Sequence, residues 1–280
     1  MEKILEIKNL TKSYRQGTTV STVVNNVSIG VGKGEFVVIM GTSGSGKTSL
    51  LHLIAGIDKF DKGTIMYTLP GEVRPPEQRS DHGTPSGHKH TDFGQMNEKA
   101  KTMFRRMNIG IVFQQQCLIP DLTVYENILL PMMLETPPLL CGSQRKDAIF
   151  GLCSRFGLKE HINKYPSQLS GGQQQRAAIL RSVVNRPPLL LCDEPTGSLN
   201  RAQTKLVMDL LNELNQDGQT IILVTHDRSV AARGERVVYI EDGKIAGELQ
   251  FSKTKPDGAG QDRYGVREQE LTHFLQKRGW

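Results

Sequence analysis

The chain has 280 residues, 37% hydrophobic and 23% charged, with a net charge of +6. It is long enough to bury a core without disulfide or metal staples and too apolar for wholesale disorder. No glycine period or sustained heptad is present, which excludes collagen-like and coiled-coil classes, and the mild basic balance permits contact with phosphates or an anionic membrane surface without establishing either.

The N-terminal stretch Met1–Lys8 alternates charged and apolar residues and lacks the basic start and apolar run of a secretory signal. The richest apolar stretch, Ile128–Leu134, is interrupted by Pro131 and is far short of the ~20 residues a membrane span needs. A cytosolic protein is expected, with any membrane crossing left to another chain. Cys117, Cys141, Cys153 and Cys192 are scattered without a Cys-x-x-Cys pair, which fits reduced thiols.

In chain order, Ile4, Leu5 and Ile7 and then Val20–Val31 alternate as strands of an antiparallel piece. Glu35–Met40 is a short continuous apolar run, the pattern of a buried strand. A glycine-rich turn follows, then a helix over Ser49–Ala55. From about 70 to 98 the composition changes. Pro70–Gln95 carries four prolines, four glycines and two strongly apolar residues, Val73 and Phe93. A disordered polar insertion is expected, because so few apolar side chains cannot offset the ordering entropy. His82, His88 and His90 lie within it without a carboxylate or cysteine framework, so a solvated loop is the favoured reading over a metal site.

Asn108–Phe113 is a second buried strand, and Asp121–Glu160 reads as helical, broken by Thr136–Pro138 and Gly142. Pro188–Cys192 is a strand, Arg201–Gln216 a helix and Thr220–Val224 a strand. Arg236–Ile240 and Lys244–Ala246 flank the hairpin turn Glu241–Gly243. Strands alternating with helices indicate an α/β core with a parallel sheet. The segment from Ser252 to Asp262 is polar, and a short helix over Glu268–Lys277 is expected to close the chain.

Three motifs carry chemistry. Gly41-Thr-Ser-Gly-Ser-Gly-Lys-Thr48 follows a buried strand and opens a helix. This is a P-loop: glycines let backbone amides wrap phosphates, the helix N-terminus adds positive potential, Lys47 reaches the β- and γ-phosphates, and Thr48 offers its hydroxyl to Mg²⁺. Gly41, Thr42, Ser43, Gly44, Ser45, Gly46, Lys47, Thr48 and Ser49 are therefore candidate ATP ligands. Leu189-Leu-Leu-Cys-Asp-Glu194 is an apolar strand ending in two acids. Asp193 can hold Mg²⁺ and Glu194 can accept a proton from the attacking water. Leu169-Ser-Gly-Gly-Gln-Gln-Gln-Arg176 stands about twenty residues before that strand. Ser170 and the amides of Gly171 and Gly172 open a helix and can hold an anion.

This last motif resembles the signature of ABC ATPases. Ile109–Gln114, Leu118–Asn127, Pro166–Arg176 and Asn185–Gly197 are similar to the ATPase subunits of MacB/LolD type, over roughly residues 3–249 apart from the insertion. The resemblance implies a P-loop core with a small antiparallel β-subdomain and a helical subdomain carrying the signature. It implies an ATPase domain over residues 1–250 followed by an extension over 251–280. Further roles follow from it residue by residue. Tyr14 stacks on adenine, Gln114 contacts Mg²⁺ and water, and His226 contacts the γ-phosphate. Leu169, Ser170, Gly171, Gly172 and Gln173 act on a nucleotide bound by a second copy of the chain. Ser198 and Asn200 lie in the D-loop, where asparagine replaces the family's usual aspartate. The resemblance further implies a permease docking near 117–140, a peripheral place on the cytosolic face of a membrane, and cargo of the lipoprotein, peptide or drug class.

An alternative is a soluble ABC ATPase acting on nucleic acid or ribosomes. The basic charge lends it slight support, but neither a second cassette nor a long coiled-coil insertion is present, so no specific nucleic acid is expected. A non-hydrolysing regulator is a further alternative, opposed by Glu194 and His226.

Overall fold

The computed structural model describes residues 2–69, 89–134, 140, 142–251 and 263–278. Strands β1 (Lys3–Gln16) and β2 (Thr19–Gly32) form a long antiparallel hairpin. β1 also pairs with β4 (Lys62–Leu69), and β4 with β5 (Lys89–Asp92), giving an antiparallel sheet of order β2-β1-β4-β5. Alternation directs Leu5, Ile7, Val27, Ile29 and Val31 inward, where they are buried.

The second sheet has the order β10-β9-β3-β8-β7-β6. Its parallel strands are β3 (Phe36–Gly41), β6 (Ile109–Val112), β7 (Leu189–Asp193), β8 (Thr220–Val224) and β9 (Arg236–Glu241). β10 (Lys244–Gln250) returns antiparallel through a turn in which Asp242 and Gly243 both have positive φ, the backbone of a type I′ hairpin. Every residue of β3, β7 and β8 is buried. Both faces of the sheet are covered, which is why these segments read as unbroken apolar runs.

Successive residues of one strand serve opposite layers. Phe36, Val38 and Met40 join a cluster with α3 (Val124–Met133), α4 (Ser143–Arg155), α5 (Gly171–Val183) and α6 (Arg201–Gln216). Val37 and Ile39 join a second cluster with α1 (Lys47–Ala55) and the antiparallel sheet. The helical subdomain and the β-subdomain thus sit on opposite faces of the parallel sheet.

Two sequence expectations are corrected. The insertion does not extend to residue 98. β5 occupies 89–92, a 3-10 turn covers Phe93–Gln95, and Asn97 caps α2 (Glu98–Asn108) by accepting from Ala100 N at 2.8 Å. Phe93 is 2% exposed and packs against Tyr67 and Phe104, with ring centroids at 5.8 and 5.4 Å. Composition averaged over the segment hid this one anchor. Residues 70–88, with His82 and His88, lie outside the described residues, while the His90 ring nitrogen Nδ1 contacts Thr68 Oγ1 at 3.0 Å. The last helix, α8, spans Arg263–Gln276 rather than beginning at Glu268. It is no appendage, since Leu271, Leu275 and the preceding Phe251 enter the main core.

Candidate nucleotide-binding and catalytic site

The P-loop joins β3 to α1 across a turn that excludes larger residues. Gly46 has φ +97° and an added Cβ would stand 2.0 Å from Val23 O, while one at Gly41 would stand 2.2 Å from Ile240 O. Both positions therefore require glycine. Thr42, Ser43, Gly44 and Thr48 are exposed along the loop. Lys47 is buried, and its ammonium donates to Gly41 O at 3.0 Å and Thr42 O at 2.7 Å. Burial lowers its pKa, and the nearby Glu194 and Asp193 carboxylates oppose that shift. Ser45 Oγ is buried without a hydrogen-bond partner, leaving unused polar capacity inside the loop.

Thr48 Oγ1 donates to Asp193 Oδ1 at 3.0 Å, so the ends of the P-loop and of β7 meet. Burial raises the Asp193 pKa, and the Thr48 hydrogen bond and His52 act against it. His52 Nε2 is 4.0 Å from the other carboxylate oxygen. Thr48 and Asp193 offer hydroxyl and carboxylate oxygens side by side, and Gln114 carries an amide oxygen that can join them. Such oxygens suit Mg²⁺, which takes one or two carboxylates and completes its shell with phosphate and water. Among the described residues no group of three or more His, Cys, Asp or Glu side chains is placed to hold a metal.

Glu194 has φ +42°, unusual for a non-glycine residue, and its N–H donates to Val224 O at 3.0 Å. The turn brings Glu194 Oε1 to 3.0 Å from His226 Nδ1, which donates to it from the end of β8. Its other oxygen and Gln114 Nε2 both flank Gly197, at 3.4 and 3.5 Å from where a Cβ would be. Tertiary structure thus gathers Gln114, Glu194 and His226 from the ends of β6, β7 and β8, beside Lys47 and Thr48.

Tyr14 lies at the edge of this region. Its hydroxyl donates to Asp58 Oδ2 at 2.6 Å, and the Lys12 ammonium is 4.7 Å from the ring centroid. The Asp58 hydrogen bond is the main cause of its raised pKa, and Ser49 of α1 opposes it. Tyr14 remains 43% exposed.

The signature residues occupy a different place. Ser170 caps α5 reciprocally: its hydroxyl accepts from Gln173 N at 3.3 Å, and Gln173 Oε1 accepts from Ser170 N at 2.8 Å. Leu169 is buried, whereas Ser170 and Gly171 are exposed. A Cβ on Gly172 would stand 2.9 Å from Gln203 Cγ, and one on Gly171 would stand 3.5 Å from Leu199 Cδ2. These contacts join the signature turn to the segment holding Ser198 and Asn200. Ser198 is exposed, and Asn200 Oδ1 caps α6 by accepting from Gln203 N at 2.9 Å. Among the described contacts none links Ser170 to the P-loop of the same chain. Sequence reading passed over His52, Asp58 and His161. Of these only His52 carried a signal, standing four residues after Thr48 on one helix face.

The sequence model of the family described as "ABC transporter" matches residues 24–197. The chain belongs to the ABC transporter family. It is 37% identical over 247 residues to the uncharacterized ABC transporter ATP-binding protein MJ0796 of Methanocaldococcus jannaschii, covering 88% of this chain and 96% of that protein. It is 37% identical over 249 residues to the lipoprotein-releasing system ATP-binding protein LolD of Aquifex aeolicus, covering 89% of this chain and 99% of that one. The macrolide export ATP-binding/permease protein MacB of Shigella flexneri is 36% identical over 248 residues, which are 88% of this chain and 34% of that protein. A solved dimeric structure of the MJ0796 ATP-binding cassette in a post-hydrolysis state, bound to ADP and Pi, superposes with a TM-score of 0.75 at 35% identity. It covers 89% of this chain and all of that one. The expected ABC ATPase fold is confirmed, and the chain is an ATP-binding ATPase subunit of the family. The nucleic-acid alternative is not favoured, because these relatives are named for transport.

Proposed function

We propose that the chain binds MgATP at the P-loop and pairs head to tail with a second copy, each signature turn completing the other's site. The closed pair drives a separate membrane permease from the cytosolic side. The observation that carries this reading is the Glu194–His226 contact at 3.0 Å, standing with Gln114 beside the Thr48–Asp193 contact at 3.0 Å.

The roles follow from the chemistry. Lys47 and the loop amides hold the phosphates, and the exposed Tyr14 ring stacks on adenine. Thr48, Asp193 and Gln114 hold Mg²⁺, which when bound neutralises charge on the transferring phosphoryl group. Glu194 takes the proton of the attacking water, and His226 holds that carboxylate in place. Leu169–Gln173 have no phosphate to serve in their own chain, and Ser170 is exposed at a helix start, so they suit a γ-phosphate on the partner. Ser198 and Asn200 adjoin them and can couple the two sites.

For the permease, the apolar residues of 117–134 divide. Met132 is core, Leu118 and Leu129 pack against it, and Ile119, Met133 and Leu134 are exposed. Residues 135–139 lie outside the described residues. No helix among the described residues is long and apolar enough to cross a membrane, and the relatives named for lipoprotein release and macrolide export support a lipoprotein or drug-like cargo.

Glu194→Gln tests the core of this reading. It keeps the side chain's shape and removes the base, so hydrolysis should fall by about 10²–10⁴-fold while ATP binding persists. Gel filtration with MgATP should then show a dimer, which ADP does not support and which Lys47→Ala or Ser170→Arg abolishes. Full turnover in Glu194→Gln, or a monomer at saturating MgATP, would overturn it. Recovery of a multi-span permease from detergent-solubilised membranes tests the transport role, and recovery of ribosomes instead would contradict it.

A further inference from the structure

The signature turn depends on a side chain outside its motif. Gln173 has one amide oxygen and one amide nitrogen, and both are committed. Its Oε1 accepts from Ser170 N at 2.8 Å, an N–H that needs an acceptor at a helix start. The amide orientation is thereby fixed, which leaves Gln173 Nε2 facing His161 Nε2 at 2.8 Å. An amide nitrogen only donates, so His161 Nε2 must be the acceptor. The ring proton then sits on Nδ1, which is buried and has no hydrogen-bond partner.

We propose that His161 is a positioning residue for the signature turn, and that only its neutral, Nδ1-protonated form can serve. Protonation at Nε2 would set two donors face to face. Gln173 could relieve this only by turning its amide, which would point its NH₂ group at Ser170 N and break the cap. The signature serine and glycines would then lose the fixed geometry with which they meet the partner's phosphate. This inference rests on the paired-cassette reading above.

The charged groups on the elements around His161 are Lys159, Glu160 and Lys164 on its own segment, Glu126 of α3, Arg145, Lys146, Asp147 and Arg155 of α4, and Arg176 and Arg181 of α5. α3 joins this segment through Val124 N to Lys164 O and Tyr125 N to Ile162 O, each at 2.9 Å. Glu126 is engaged by Thr123 at 2.8 Å and Arg176 by Phe156 O at 3.0 Å. The ion pairs formed by described histidines involve His52 and His226, not His161.

The test uses the full chain in the Glu194→Gln background, with MgATP-dependent dimerisation as the readout. His161→Leu removes the acceptor. Dimerisation should weaken about 5-fold per signature turn, hence about 25-fold for a dimer holding two, the size of one lost neutral hydrogen bond at each turn. Binding of a fluorescent ATP analogue to the monomer should stay within two-fold of the parent. His161→Gln restores a neutral acceptor and should recover dimerisation. It should also separate the proposed role from simple packing. The inference is overturned if His161→Leu dimerises like the parent, or if His161→Gln dimerises no better than His161→Leu. Ser170→Arg keeps the two readings distinct. If it still dimerises, the paired-cassette reading itself fails. If it does not, while His161→Leu does so normally, only the positioning role fails.

Discussion

Shortening the chain after β4 should be harmless up to residue 88 and damaging beyond it. Leu69 and Lys89 are directly paired in the β4–β5 ladder, so their Cα atoms are about 5 Å apart and a link of four Gly/Ser residues can join them. Replacing a 19-residue connection with four residues lowers loop-closure entropy, by about 1.4 kcal/mol in favour of folding. Extending the replacement through Gln95 removes β5 and Phe93. That ring is 2% exposed between Tyr67 and Phe104. It also lies over Gly56 at the end of α1, where an added Cβ would be 2.2 Å from it. Phe93→Ala alone should cost about 3–5 kcal/mol. At about 2–4 °C per kcal/mol for a domain of this size, the midpoint should drop by roughly 10 °C. Thermal unfolding followed by circular dichroism reads this directly, with ATP turnover of the 70–88 replacement measured beside it. The reasoning fails if Phe93→Ala unfolds within about 2 °C of the parent, or if the 70–88 replacement loses its fold or nucleotide binding.

Three further outcomes are expected. Asn200→Asp keeps the α6 cap and should leave stability and ATP affinity nearly unchanged while altering turnover or its cooperativity, whereas Asn200→Ala should lose about 1 kcal/mol in urea unfolding; identical kinetics for Asn200→Asp would make the substitution neutral. Leu271→Ala should destabilise the whole domain by about 2–5 kcal/mol, because α8 is built into the main core, and an unchanged midpoint would show the helix to be peripheral. Burial raises the folded-state pKa of Asp193, so its ionised form opposes folding, an effect absent below the unfolded pKa and fully developed above the folded one. Asp193→Asn should therefore raise the nucleotide-free Tm at pH 7 and abolish hydrolysis; a lowered Tm would contradict the cited cause.

The P-loop, the acidic strand end and the signature were legible in the sequence because each is a local pattern whose chemistry depends on residues a few positions apart. Gly46 must be glycine for its backbone and close neighbours, Ser170 and Gln173 cap a helix across three residues, and the burial of β3, β7 and β8 shows as unbroken apolar runs. The parallel strands and α6 were readable for the same reason. What only tertiary structure decided are relations between distant segments. Glu194 meets His226, with Gln114 close by at Gly197, because adjacent parallel strands end at one edge of the sheet, and no spacing rule encodes that edge. Phe93 looked like a stray aromatic in a polar stretch until β5 paired with β4 and turned its ring onto Tyr67. α8 read as a short helix from Glu268, and its first turn and its place in the core showed only once Leu271 and Leu275 packed there. His161 carried no motif at all. Its role arises from one amide whose oxygen is already taken by Ser170, a constraint that exists only once the turn has folded.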